Sequence, residues 1–252
     1  MGLITERNGA ADGYEAVTVP TAPHEPSSRG GALLRRRSAL ATRRSVLHLH
    51  CDPDTFVPED LARWYTERGF HFSVADLRPP DQVDRPGRER RPRPGRGECF
   101  AGLDAACRQL RDDEGTDMII VSAEAAGALT AALWCAARRD AGLADALVLA
   151  SPAFGRGLRR GLEIACPVLV LSAAGGPAGR RGPARRLTGR ARSRGDAAPV
   201  RLGPHVTWLQ LEDGLGAPGP GEGAETDRRR FFDELGRWLG AYMYGSVRDQ
   251  LL

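Results

Sequence analysis

His50 and Cys51 put a base and a nucleophile type side by side, with a carboxylate next to them at Asp52. A thiol becomes a nucleophile when a neighbouring base takes its proton. The two residues close an apolar run, Ser45–His50, that reads as a strand, and consecutive strand side chains point to opposite faces. Adjacency in sequence thus parts the imidazole from the thiol, and no Cys–His dyad is expected there. His48 lies on the same run, His71 opens a later strand, His24 falls in a Pro/Ser/Gly turn, and His205 opens the last strand. A second chemical candidate is Glu124, a carboxylate within a tight turn between a strand and a helix. The cysteines at 51, 99, 107, 135 and 166 contain no CxxC pair, so neither a metal site nor a cofactor is expected. Their odd number, with Cys107 and Cys135 on helix faces and Cys166 entering a strand, suggests reduced thiols.

The elements that must position these groups centre on Asp117–Pro152. Asp117–Ser122 and Ala144–Ser151 are short apolar runs bounded by Asp or Gly, as suits parallel strands covered on both faces. The alanine-rich segment between them, about 126–141, has high helix propensity and small side chains that pack closely on a sheet. Tyr14–Val19 reads as a first strand with Ala32–Arg37 as its antiparallel partner. Pro58, Glu59 and Asp60 open a helix through Arg68 that Gly69 stops. Strands are expected at 70–77, 167–172 and 205–211. Amphipathic helices are expected at 98–114 and 226–244.

Composition sets bounds on the rest. A chain of 252 residues with 41% hydrophobic and 27% charged residues can bury one substantial core. All of the 36 basic residues are arginine, which a GC-rich coding bias explains without any phosphate partner. A net charge of +4 is mild, and nucleic acid is not expected as a partner. No apolar run approaches the length of a bilayer span, and the N-terminus has no apolar core of a signal peptide. The expectation is a cytoplasmic protein without a membrane partner. Residues 1–12 are expected to be a flexible lead, 13–245 a single domain, and 246–252 a tail. The Pro/Gly/Arg-rich segments 79–97 and 175–199 are expected to be flexible loops inside it.

Taken in order, Gly13-Tyr14-Glu15-Ala16, Ser45–Arg78, Asp117–Pro152, Cys166–Ser172 and His205–Tyr242 resemble the α/β-hydrolases. The resemblance is to the serine aminopeptidase and monoacylglycerol-lipase-like group, in an actinobacterial version. It implies an α/β fold, with a mostly parallel central sheet and helices on both faces. Only Ala153–Ala165 stand where that group inserts a substrate-covering lid, so the lid is expected to be largely absent.

The resemblance also assigns slots to residues. A hydrolase elbow spelled Gly-His-Ser-x-Gly-Gly aligns with Ser122-Ala123-Glu124-Ala125-Ala126-Gly127, which puts Glu124 in the nucleophile slot. The acid slot falls at Asp196. The base slot falls at Gly216, because Asp213-Gly214-Leu215-Gly216-Ala217 stands where the group has Gly-Ala-Leu-His-Asp. His205 lies at the other end of that strand, about 23 Å away at strand spacing. The oxyanion region comprises Cys51, Asp52 and Ala125, with His50-Cys51-Asp52 replacing His-Gly-Phe. Asp52 and Glu124 would oppose a developing oxyanion rather than stabilise it.

Nucleophile, base, oxyanion glycine and lid are all altered, and the expectation is a catalytically inactive homologue that binds a small molecule or protein. One alternative is an active hydrolase with Glu124 as nucleophile. Another is an arginine-mediated anion or nucleic-acid binder, using the arginines of 78–96 and 180–194 on the carboxyl edge of the sheet.

Overall fold

The protein is described from a computed structural model. It covers residues 13–19, 31–50, 59–76, 95–112, 115–150, 152, 161–173, 187–188, 205–211 and 222–249. Its strands are β1 (Glu15–Val19), β2 (Gly31–Arg36), β3 (Arg44–His50), β4 (His71–Asp76), β5 (Met118–Glu124), β6 (Ala146–Ala150), β7 (Val168–Ala173), β8 (Leu187–Thr188) and β9 (Val206–Leu211). The helices are α1 (Glu59–Glu67), α2 (Arg96–Asp112), α3 (Ala125–Ala137) and α4 (Glu222–Asp249).

Among the described residues the strands form one sheet in the order β1-β2-β4-β3-β5-β6-β7-β9-β8. β4, β3, β5, β6, β7 and β9 are parallel to their neighbours in that row. β1 and β2 pair antiparallel with each other, β2 joins β4 antiparallel, and β8 joins β9 antiparallel at the far edge. The expected strands thus lie in one sheet, in the expected directions. β8 falls within 175–199, where the sequence suggested only a loop. α4 takes in residues 246–249, which the sequence assigned to a tail. Segment 79–94 and most of 174–199 lie outside the described residues, and so do 1–12.

Alternation along each strand divides the core into two layers. On one face Leu47, Leu49, Ile119, Val121 and Ala123 pack under Leu103 and Leu110 of α2 and Ala128, Ala131 and Trp134 of α3. On the other, Val46, Phe72, Ile120 and Val148 meet Tyr65 of α1 and Leu235 and Leu239 of α4. Burying each Val, Leu, Ile or Phe side chain among them contributes about 1.5–3 kcal/mol. β5 and β6 read as unbroken apolar runs because they are covered from both sides. Glu59 and Asp60 sit in the first turn of α1, where a carboxylate favours the helix dipole. Gly69 ends that helix at φ +75°, a conformation that glycine adopts without steric cost. β6 ends at Ala150 and β7 begins at Val168, so this crossover leaves no room for a lid domain.

Candidate functional site

The parallel strands end together on one edge of the sheet, and the chemistry-bearing residues must be sought there. His50 closes β3 in register with Asp76 at the end of β4. Glu124 closes β5 in register with Ala150 at the end of β6. The chain then turns directly into α3, with no residue between strand and helix.

That turn bends at one position. Glu124 has φ −128° and ψ 158°, an ordinary extended conformation, and its side chain makes no capping hydrogen bond to α3. Ala125 has φ +49°, and among the described residues it is the sole non-glycine with a positive φ. Left-handed backbone costs a residue bearing a Cβ about 1–2 kcal/mol, so strain is concentrated on Ala125. Both residues are exposed. Gly127 is buried in the first turn of the helix.

Behind the turn lies a buried polar pair. His48 and Ser122 are Cα partners across β3 and β5, and His48 Nδ1 is 3.3 Å from Ser122 Oγ. The imidazole stacks on Phe72 at 5.8 Å between ring centroids, and Phe72 stacks on Tyr65 at 5.9 Å. The Tyr65 hydroxyl is fully buried and faces the same Ser122. Burial raises this phenol well above its ordinary range, and the serine offsets that only in part. His48 and Ser122 are 2% and 4% exposed, which keeps them from any substrate at the edge.

The structure therefore brings Glu124 and Ala125 together at the edge and sets His48 and Ser122 beneath them. It does not bring His205 there. His205 is exposed at the opposite end of β9, where its carbonyl accepts a hydrogen bond from the Val168 N–H at 2.8 Å. Cys51, Asp52, Asp196 and Gly216 lie outside the described residues. Among the described residues, no group of three or more His, Cys, Asp or Glu side chains could hold a metal ion. No described helix is long and apolar enough to cross a membrane.

Strand order, the single sharp turn after β5 and the helices on both faces define an α/β-hydrolase fold. Solved structures agree. An α/β serine hydrolase homologue from Coxiella burnetii superposes with TM-score 0.54 at 15% identity, covering 88% of this chain and 95% of that one. The carboxylesterase Cest-2923 from Lactobacillus plantarum superposes with TM-score 0.54 at 14% identity, covering 91% and 97%. An α/β serine hydrolase without a lid from Xanthomonas campestris gives 0.51 at 13% identity, covering 80% and 85%. Neither a family model nor a curated protein matches the sequence. At these identities the likeness is one of fold.

Two features escaped the sequence reading. The strain at Ala125 rather than Glu124 has no signature in residue type, since alanine is an ordinary helix former. The His48–Ser122 pair did leave a signal. Each is a polar residue within a buried apolar strand, two residues before that strand ends.

Proposed function

We propose that this protein is a hydrolase-fold binding or regulatory homologue that does not carry out serine-type acyl transfer. The observation that carries this reading is the alanine at the strained position of the elbow. In hydrolases of this fold the nucleophile occupies the strained residue of the strand-to-helix turn, which holds it clear of the sheet. Here that residue is Ala125, whose methyl group can neither attack nor be activated. Ala123-Glu124-Ala125-Ala126-Gly127 then fills the frame Gly-x-Ser-x-Gly, one residue further along than the residue types suggested. Glu124 becomes the residue before the nucleophile slot. Its extended backbone argues against a carboxylate nucleophile. Gly216, in the base slot assigned by the resemblance, adds a second loss. The ligand is a small molecule or protein segment that uses the hydrolase cleft, and the proposed location is the cytoplasm.

Labelling with a fluorophosphonate probe, alongside turnover of short-chain nitrophenyl esters, tests the reading. The expected result is no labelling and no turnover above background. Ala125→Ser combined with Gly216→His and Cys51→Gly should gain labelling, because members of a catalytic triad act as a unit and single repairs leave the others missing. The same triple repair built on Glu124→Ser should gain none. Ester hydrolysis by the unmodified protein that disappears on Glu124→Gln would overturn the proposal and make Glu124 the nucleophile.

A further inference from the structure

The amino ends of the parallel strands form the edge opposite the elbow, and residues 37–43, which join β2 to β3, cross that edge at the start of β4. Hydrogen bonds fix this loop along its length. The Ser38 N–H donates to His71 Nδ1 at 3.1 Å, and the Ser38 hydroxyl to the Thr66 carbonyl at 2.6 Å. The Thr42 hydroxyl donates to the Gly69 carbonyl at 2.6 Å, and Arg43 Nε to the Gly115 carbonyl at 2.8 Å. At the tip Ala39, Leu40 and Ala41 are exposed. Leu40 is 56% exposed, and among the described residues no other large hydrophobic side chain is exposed.

A lone leucine on a surface is ordinary. Leu40 differs in what surrounds it. Residues 33–50 contain Arg35, Arg36, Arg37, Arg43 and Arg44 and not one carboxylate. Arg37 and Arg43, on either side of the tip, are exposed, and so is Arg68 next to Gly69. Leu40 and Arg44 both close on Gly69, where a Cβ would stand 3.6 Å from Leu40 Cδ1 and 3.3 Å from Arg44 Nη2. The Arg68 guanidinium lies over the Trp64 ring at 4.1 Å and that of Arg44 over the Phe70 ring at 5.0 Å, so both are held in place before anything binds. An apolar centre inside a polar rim is the anatomy of a protein–protein contact. We propose that the Leu40 loop is a docking surface for an acidic segment of a partner protein, which covers Leu40 with apolar side chains and meets the surrounding arginines with carboxylates.

The chemistry of the rim selects the occupant. A guanidinium group pairs with a carboxylate through two parallel N–H···O bonds. Glu15 and Asp117 already pair with the two flanking arginines, Glu15 with Arg37 at 2.8 Å and Asp117 with Arg43 at 3.0 Å. These ion pairs lie in water and hold the arginines only weakly, so a partner's carboxylates can join or displace them. A nucleic acid would use the arginines and leave Leu40 in water, and a bilayer would receive one leucine alone. The fixed loop gives up little conformational freedom when its tip is covered. Because loop and elbow lie at opposite edges of the sheet, an occupant here leaves the cleft open.

The probe is a fluorescein-labelled peptide with a central leucine pair between runs of glutamate, titrated with the full-length protein at low ionic strength and read by anisotropy. Saturable binding that weakens with added salt is expected. Replacing the peptide's leucines by serine, or its glutamates by glutamine, should each weaken binding about ten-fold or more. Leu40→Ser should do the same, and so should Arg37→Gln combined with Arg43→Gln. Arg237→Gln, on α4, should change nothing. All four positions are exposed, and circular dichroism checks that each variant folds. Absence of binding at low ionic strength, or binding that Leu40→Ser leaves unchanged, would overturn the proposal. Tighter binding of a random-sequence oligonucleotide or of phosphatidylserine vesicles, abolished by the same substitutions, would also sink it, since the occupant would then not be a protein.

Discussion

Glu124 and Ala125 are consecutive at the end of β5 and have opposite signs of φ, −128° for the glutamate and +49° for the alanine. A side-chain view of the turn singles out the carboxylate. The backbone singles out the residue after it. The two views lead to different chemistry, because an elbow of this kind carries its nucleophile at the strained residue.

That difference can be read from stability alone. Ala125→Gly removes a penalty of about 1–2 kcal/mol for the left-handed backbone and incurs about 0.5–1 kcal/mol of extra chain entropy. It should therefore stabilise the fold by about 0.5–1 kcal/mol. Ala125→Val should destabilise it by more than about 1 kcal/mol, because a β-branched residue tolerates positive φ worst. Glu124→Gly, at an extended position, should cost about 0.5–1 kcal/mol. Urea midpoints at constant m-value report all three. If Ala125→Gly weakens the protein as much as Glu124→Gly does, the strain is not at Ala125.

The framework was legible in the sequence because it rests on period and punctuation. Apolar runs such as Asp117–Ser122 and Ala144–Ser151, bounded by Asp or Gly, announce parallel strands, and Gly69 announces a helix end. The resemblance to hydrolases, resting on the order of such blocks, carried the topology. The position of the bend was not legible, because φ at Ala125 follows from how strand and helix meet and leaves no trace in a run of alanines. Asp196, Gly216, Cys51 and Asp52 are assigned by sequence order alone. β8 was missed because two residues in an arginine-rich segment carry no alternation to read.

The buried pair beneath the elbow gives a second expectation. Ser122 Oγ lies 3.3 Å from His48 Nδ1, in a pocket of aromatic rings. Ser122→Ala removes the hydroxyl and leaves His48 Nδ1 without it. A buried polar group deprived of its partner costs about 1–3 kcal/mol, so the variant should lose stability on that scale despite being nearly isosteric. Ser122→Thr keeps the hydroxyl but adds a methyl group to a packed layer, and it should also destabilise, by about 1–3 kcal/mol. A neutral Ser122→Ala in equilibrium unfolding would mean that the hydroxyl makes no net contribution.

The last prediction concerns acid. His71 opens β4, and its Nδ1 accepts a hydrogen bond from the Ser38 N–H at 3.1 Å, which requires that nitrogen to be unprotonated. Its pKa is lowered from 6.5, chiefly by burial and then by the guanidinium groups of Arg37 and Arg35, against weaker opposing effects of the Thr42 backbone and Glu15. The unfolded chain therefore binds a proton at a higher pH than the folded chain does. Between the folded-state value and about 6.5 the unfolded state carries more protons, and stability rises with pH across that interval. Its contribution is complete above about 6.5 and is lost as pH falls through the folded-state value. His71→Asn supplies a non-titrating acceptor, Oδ1, close to the position of Nδ1. Denaturant unfolding followed from about pH 8 to about pH 5 should show a steeper loss of stability in the wild type than in His71→Asn. Parallel slopes would mean that His71 gains a proton as readily in the folded chain as in the unfolded one. A wild type that grows more stable with acid would show that the neighbouring arginines and burial do not govern its titration.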